Sequence, residues 1–382
     1  MQKKIIALAI ASALAIPAAA MAEVGSGDNV TIYGDANVSY DIVKTGGNNG
    51  VTVPKVSSND SKFGIKGAED LGDGLSAFWQ VESVIDFDSG GDGNFANRDT
   101  FAGIAGAGWG SVAFGTNGTA YKRTTRGWDQ FANTLADNRA IMGGGTFGTP
   151  IGSHIVGQGN GFDDGIPNHI FYTSPNINGF TGIVDYSTNS SAEFLSNASG
   201  GTIQNAGESR VTGADPKVSF FAVGGNYDVG PLGLVAAYAK DSTSGFNQNV
   251  DSHAIKFGAQ YTIDAFNFGV IYEKISDDST AAQGHNDYYL FGKYTFGTDA
   301  VKAAYTHAGS QDFASATSAK QYTIGYDHNL SKRTTLYALY TKLSNDSGAA
   351  YGFSPLGPTG AANTSATGAS PSAFSVGMKH TF

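Results

Sequence analysis

Histidines stand at positions 154, 169, 253, 285, 307, 328 and 380, and they are the residues readiest to ligate a metal or move a proton. They are scattered, with no H-E-x-x-H pair or other ligand spacing among them. No G-x-S-x-G elbow, phosphate loop or dinucleotide fingerprint leads from a strand into a helix. Cysteine is absent, which removes thiolate nucleophiles, thiol metal sites and disulfides together. The run Asp86-Phe87-Asp88-Ser89-Gly90-Gly91-Asp92-Gly93 has a calcium-loop flavour but lacks the bidentate Glu downstream, so it reads as an acidic, glycine-rich loop. The expectation is no catalytic residue, no cofactor, no metal and no enzymatic activity. What remains is charge. Lys62, Lys66 and Arg98 lie early in the chain, and one long connection carries Lys122, Arg123, Arg126, Asp129, Asp137 and Arg139. Their chemistry is electrostatic, a field acting on whatever passes close by.

The elements that position these charges are strands. Val30, Ile32, Gly34, Ala36, Val38, Tyr40 and Ile42 alternate with Thr31, Tyr33, Asp35, Asn37, Ser39 and Asp41. A period of two means one oily and one wet face. Similar runs recur at 75–87, 180–186, 218–227, 232–238, 255–263, 266–272, 288–296, 301–307, 322–328, 336–340 and 374–382, with shorter ones at 63–67, 101–105, 112–114 and 170–174. Sixteen strands result. Many of these runs exceed the five or six residues usual in soluble sheets and approach the ten or so that a tilted strand needs to cross an apolar band. Short polar turns such as 70–74, 108–110, 228–231 and 297–299 alternate with long connections over 43–60, 88–98, 117–165, 188–216, 241–250, 276–285, 309–319 and 344–371. Short turns on one rim and long loops on the other fit a membrane barrel. Gly348 to Ser372 reads as a mobile external loop.

Bulk properties agree. Residues 1–22 have the charged start, apolar middle and Ala20-Met21-Ala22 end of a cleaved export leader, leaving 23–382 as one domain. Without Lys3 and Lys4, 21 basic residues face 33 acidic ones, a formal charge of −12 that argues against nucleic-acid binding. No later run of 18 apolar residues exists to make a membrane helix. A barrel strand alternates, so low hydropathy does not argue against membrane residence. Glycine (53 residues), with 18 Tyr and 24 Phe, suits bent, close-packed strands with interfacial aromatics.

The stretch Ser61-Lys62-Phe63-Gly64-Ile65-Lys66-Gly67-Ala68-Glu69-Asp70-Leu71-Gly72-Asp73-Gly74-Leu75-Ser76-Ala77 resembles the strand-turn-strand signature of the general Gram-negative porins. Asn97 to Gly103, Gly110 to Gly115 and Tyr172 to Pro175 extend the resemblance, which punctuates nearly the whole mature chain. It implies an all-β fold: a 16-stranded antiparallel transmembrane barrel in the outer membrane, with the third external loop folded inward to constrict the pore. The implied activity is passive diffusion of ions and small hydrophilic solutes, weakly selective by charge and size. The implied partners are two further copies in a homotrimer, outer-membrane lipid and lipopolysaccharide, and the barrel assembly machinery, which would read Phe382 in the carboxyl-terminal strand. Residues 117–165 are the loop in question, so Arg123, Arg126, Asp129, Asp137 and Arg139 become constriction candidates, its acids facing a basic ladder on the wall.

Lys62 and Lys66 have parity opposite to Phe63 and Ile65 and should point into the lumen, with Arg98 joining them. The chain departs from the family where an arginine commonly follows the glycine ending the fifth strand: Gly115 is followed by Thr116. Another frequent arginine, before the sixth strand, finds only Gly165 and Ile166. A thinned ladder and a charge of −12 predict a weak cation preference. An oligosaccharide channel is the alternative, because Tyr33, Phe78, Tyr289 and Phe291 share lumen parity and could form a sugar slide.

Overall fold

The computed structural model describes residues 29–47, 50–89, 95–143, 161–188, 217–245, 248–278, 283–353 and 366–382. The leader, His154, most of the 188–216 connection and part of the 86–93 loop lie outside them.

Seventeen strand segments form one closed antiparallel sheet. They are β1 (Asn29–Lys44), β2 (Thr52–Ser58), β3 (Lys62–Gly72), β4 (Leu75–Val84), β5 (Thr100–Gly106), β6 (Gly110–Gly118), β7 (Gly165–Thr173) and β8 (Phe180–Ser187). There follow β9 (Lys217–Val229), β10 (Leu232–Gly245), β11 (Gln248–Ile263), β12 (Phe266–Asp277), β13 (His285–Phe296), β14 (Asp299–Ala308), β15 (Ala319–Asn329), β16 (Thr334–Asn345) and β17 (Ser372–Thr381). Apart from β2 and β3, each pairs with the next in sequence. β2 and β3 both pair with β1, over Val38–Lys44 and Asn29–Asp35, and so make one stave interrupted at Asn59-Asp60-Ser61, where Asp60 takes φ +59°. The barrel therefore has 16 staves. β1 closes it against β17, Asp35 opposite Thr381 through Lys44 opposite Ser372. One rim is held by tight hairpins with positive φ at Gly230, Asp264 and Gly297, as two-residue turns require.

The burial pattern inverts that of a soluble sheet. Along β1 the polar Asp35, Asn37, Ser39 and Asp41 are buried, whereas Val30, Ile32, Tyr40 and Ile42 are exposed. Phe268, Leu290, Ile324 and Val376 are likewise exposed on later strands. A surface this apolar is stable only against lipid or another subunit. Its aromatics form two tiers on β12 to β15. Phe266 stacks near Tyr294 toward the short-turn rim (4.4 Å), and Tyr272–Tyr288 (5.3 Å) and Tyr305–Tyr322 (5.1 Å) lie toward the long-loop rim. Six residues separate Tyr288 from Tyr294, roughly 20 Å along the strand, a spacing suited to interfacial girdles.

Several loops are shorter than expected. Residues 52–58 of the 43–60 connection are strand, as are all described residues of 241–250. β2 escaped the periodicity because Val53 and Val56 face opposite sides and Pro54 stands between them. The last connection is not simply external either. Tyr351 and Phe353 are fully buried among Val43, Leu135, Ile141 and Leu343, with Asn345 Nδ2 donating to the carbonyls of Tyr351 (2.9 Å) and Ala369 (2.6 Å). Tyr351 and Phe353 thus pack on the third-loop residues Leu135 and Ile141.

Candidate functional site

The third loop leaves β6 at Gly118 and starts with a short helix, α1 (Ala120–Thr125). Thr119 caps it, its hydroxyl accepting from the Lys122 amide. The loop then follows the inner wall. Asn226 Nδ2 on β9 donates to the carbonyl of Thr124 (2.8 Å), and Trp128 packs on Phe291 of β13. Phe131 abuts Gly325 of β15 and lies under the ammonium of Lys302 (4.8 Å). Asn37 Nδ2 of β1 donates to the carbonyl of Asn133 (2.7 Å). The described part of the loop thus lies along the wall from β7 round to β1 and leaves β2 to β6 uncovered.

One buried cluster fastens it. Lys256 of β11 is 1% exposed and donates to both oxygens of Asp163 (2.7 and 2.8 Å), with Glu273 of β12 at 3.4 Å and the Tyr121 ring 4.0 Å away. Glu273 in turn accepts from Tyr121 Oη (2.6 Å) and from the Gly143 amide (2.7 Å). Both ends of the loop therefore converge on a single lysine–carboxylate pair of the wall.

On the uncovered wall, Glu82 of β4 gathers the cations. Lys62 Nζ lies 3.2 Å from its Oε2, Arg98 Nε donates to its Oε1 (2.7 Å), and Tyr33 Oη donates to Oε2 (3.0 Å). Lys66 stands 5.5 Å over the Tyr33 ring. Arg98 also pairs with Asp60, which interacts electrostatically with Arg139, Arg126 and Lys122 of the loop. Wall and loop therefore converge here. On the loop, Asp137 accepts from Arg126 (2.7 Å) and from Arg139 Nε and Nη2 (both 3.1 Å). Asp129 accepts from the amides of Phe131 (2.9 Å) and Asn138 (3.0 Å) and from Tyr289 Oη (3.0 Å), with Arg126 at 3.6 Å.

The loop carboxylates are turned inward. The side chains of Asp129 and Asp137 are 1% and 0% exposed and knit the loop together. Arg139, 4% exposed, belongs to the same knot. Arg123 leans away onto β7, donating to Thr173 Oγ1 (3.0 Å) with its guanidinium over Phe171. Tyr289 and Phe291 do face inward, but Trp128 and Met142 cover them, so they offer no slide for a sugar. Asp60, Glu82, Lys256 and Glu273 were not singled out by sequence reasoning. Glu82 lies on the polar parity of its strand, which was the one available signal.

Burial, then the neighbouring Asp137, pushes the Asp129 carboxyl up to about 6. Burial also opposes ionisation of Asp137, but Arg126 and Arg139 outweigh it and hold that carboxyl far below the usual range. The signs differ. The raised group favours the docked loop at low pH and loses that advantage as pH rises through about 6, whereas Asp137 contributes above the ordinary carboxylate range and stays ionised throughout. Acidification from pH 7.5 to 5 therefore removes one negative charge beside Arg126. Reversal potentials across a salt gradient are expected to move toward anions over that interval, and Asp129→Asn should sit at the acid value at both pH values. An unchanged pH response in the variant would exclude Asp129.

A closed, lipid-facing barrel with a charged loop across its lumen is a transmembrane channel of the diffusion-pore class. The sequence profile of the Gram-negative porins matches residues 7–349, and the chain belongs to that family. It is 30% identical over 399 aligned positions to outer membrane porin protein 32 of Delftia acidovorans, covering all of both chains. The fold is shared with the anion-selective porin from Comamonas acidovorans (TM-score 0.74, 22% identity, 93% of this chain and 100% of that one). It is shared also with OmpT of Vibrio cholerae in its trimer form (TM-score 0.63, 13% identity, 94% and 100%). The chain is a passive diffusion channel of the Gram-negative outer membrane.

Proposed function

We propose that this channel passes small hydrophilic solutes with a preference for anions, without enzymatic activity, and works as a homotrimer exported by way of a leader over residues 1–22. The observation that carries the ion preference is an ordering of charge. The side chains of Lys62, Arg98 and Arg126 are 28%, 19% and 21% exposed, whereas those of Glu82, Asp60, Asp129 and Asp137 are 2%, 9%, 1% and 0%. Cations front the passage and their counter-ions lie behind them. A solute ion in a narrow, low-dielectric passage responds to the nearest charges, not to a total of −12 spread over rims and loops. The cation preference expected from net charge gives way on that argument. The Comamonas porin of the same fold is described as anion-selective, which agrees with this reading.

In this reading Lys62, Lys66, Arg98 and Arg126 line the constriction, Asp129, Asp137 and Arg139 fix its loop edge, and Arg123 braces the loop against β7. The trimer is supported by the outer surface. The paired girdle aromatics among the described residues lie on β10 to β17, whereas β2 to β5 turn out mostly aliphatic or small side chains such as Val56, Leu75, Ala77, Ala102 and Ile104, with Trp79 exposed among them. Such a face suits close subunit contact. The Vibrio relative in trimer form has the same fold.

The test is the reversal potential of reconstituted channels in a tenfold potassium chloride gradient. Wild type is expected to be anion-preferring, and Lys62→Glu should lower the chloride-to-potassium permeability ratio about two- to fivefold. A cation-preferring wild type, or no shift in the variant, would overturn the assignment.

A further inference from the structure

We propose that the lumen wall beside the constriction binds small aromatic monocarboxylates, with the ring on Phe78 and the carboxylate on Lys66 and Arg123, an inference that builds on the anion preference proposed above. Three inward-facing rings make one run. Phe78 of β4 meets Phe101 of β5 edge-on (6.2 Å between centroids, 74°), and Phe101 meets Phe171 of β7 in the same way (5.3 Å, 89°). The rest of this face carries little side chain. Directly opposite residues share a face, and the register runs from Ala68 to Phe78, Gly103, Ala113 and Phe171 across five strands. Gly103 leaves room for the Phe78 ring to lie along the wall, since a Cβ there would stand 2.7 Å from Phe78 Cζ. Phe101 and Phe171 are buried, at 6% and 5% exposed, whereas Phe78 packs on them and stays partly exposed. The result is a shallow apolar recess, floored by aromatic carbon, on the side of a water-filled passage. Apolar surface kept facing water marks a place where something apolar docks.

Cations stand on both sides of the recess and select the ligand. Lys66 is opposite Gln80, which makes it the diagonal neighbour of Phe78, about 7–8 Å away. It is partly exposed, and among the described residues no ion pair closes on it. On the far side, Arg123 lies over the Phe171 ring (5.4 Å), spends one hydrogen bond on Thr173 Oγ1, and has no hydrogen-bond partner for Nη1 among the described residues. Asp99 and Asp185 act on Arg123 electrostatically, but Asp185 is taken up by the Ala120 amide and by His169 at 3.5 Å. A ring seated against Phe78 thus has a donor within reach for its own carboxylate. An inorganic anion uses only the cations, and a neutral sugar only the ring. Position favours the same ligand. Phe78 lies four residues from Glu82 along β4, about 13 Å toward the short-turn rim, so a solute that has cleared the constriction meets it next. Tyr289 and Phe291, by contrast, are covered.

The test is single-channel recording of the reconstituted protein in potassium chloride with benzoate, acetate or benzyl alcohol added. Benzoate should interrupt the current with an apparent affinity about tenfold above that of acetate, and benzyl alcohol should leave the current steady. Phe78→Leu keeps apolar bulk but removes the ring. It should cut the benzoate advantage to about twofold and leave the acetate response unchanged, whereas Lys66→Gln should weaken both carboxylates about threefold. Open-channel steps of wild-type size in chloride show that the variants are folded. The reversal potential of the same channels separates this proposal from the one it builds on. A chloride-preferring wild type that responds equally to benzoate and acetate, or a full benzoate advantage retained in Phe78→Leu, would overturn the aromatic site and leave the anion preference standing. A potassium-preferring wild type that still shows the Phe78-dependent benzoate advantage would support the site and overturn the anion preference.

Discussion

Lys256→Met is expected to loosen the third loop from the wall while leaving the barrel intact. The substitution preserves side-chain length but removes the charge that neutralises Asp163 and Glu273, which are buried with it. Breaking a buried ion pair from one side costs about 3–5 kcal/mol, because the remaining charge is left without compensation. Both loop ends feel the loss, since Glu273 also orients Tyr121 and the Gly143 amide. The β11–β12 pairing from Ser252 to Ile263 depends on backbone hydrogen bonds and should persist. The expected phenotype is heat-resistant barrels whose single-channel current is larger and noisier than that of wild type. Limited proteolysis after Lys122 or Arg126 should accelerate as well. A quiet channel of wild-type conductance and unchanged cleavage would show that Lys256 does not fasten the loop.

Removal of Phe382 is expected to lower the yield of assembled barrel about tenfold while leaving the conductance of surviving channels unchanged. The Phe382 amide donates to the carbonyl of Gly34, and the Phe382 main-chain oxygen accepts in return from the Gly34 amide, both at 3.1 Å. Two backbone hydrogen bonds are worth about 2 kcal/mol net, and the exposed ring adds contact with lipid or with whatever factor receives the strand. Gly34 is glycine because its outward position lies against the Phe382 ring, where a Cβ would collide. Gly34→Val should therefore reproduce part of the defect without shortening the chain. Quantifying heat-modifiable barrel in outer-membrane fractions checks both variants. Wild-type yield from the shortened protein would separate Phe382 from assembly.

Legibility in the sequence followed the reach of the interactions. β1 and β17 were readable because each carries an uninterrupted period of two, and their pairing followed from the need to close a sheet. Lys62 and Lys66 were placed in the lumen by parity against Phe63 and Ile65, and that placement needs no tertiary information. β2 was not readable: Pro54 and valines on both faces erase the period. The loop charges were legible as a group but not in orientation, since an irregular backbone gives no rule for which way Asp129 or Asp137 points. Lys256, Glu273 and Asp163 were invisible as a cluster because 93 residues separate Asp163 from Lys256 and 130 separate Gly143 from Glu273. Only the closed barrel brings them together. The net charge of −12 carries no positional information: in the proposed reading an ion at the narrowing meets Lys62, Lys66, Arg98 and Arg126, and the charge total does not say where these stand.

The central claim, an open water-filled passage through each barrel narrowed by its third loop, is tested most directly by single-channel recording of the purified protein in planar lipid bilayers. Stepwise current rising in proportion to voltage and to salt concentration, with closures in thirds of a unit, is the predicted result. Stable insertion of folded barrels that carry no current would contradict it.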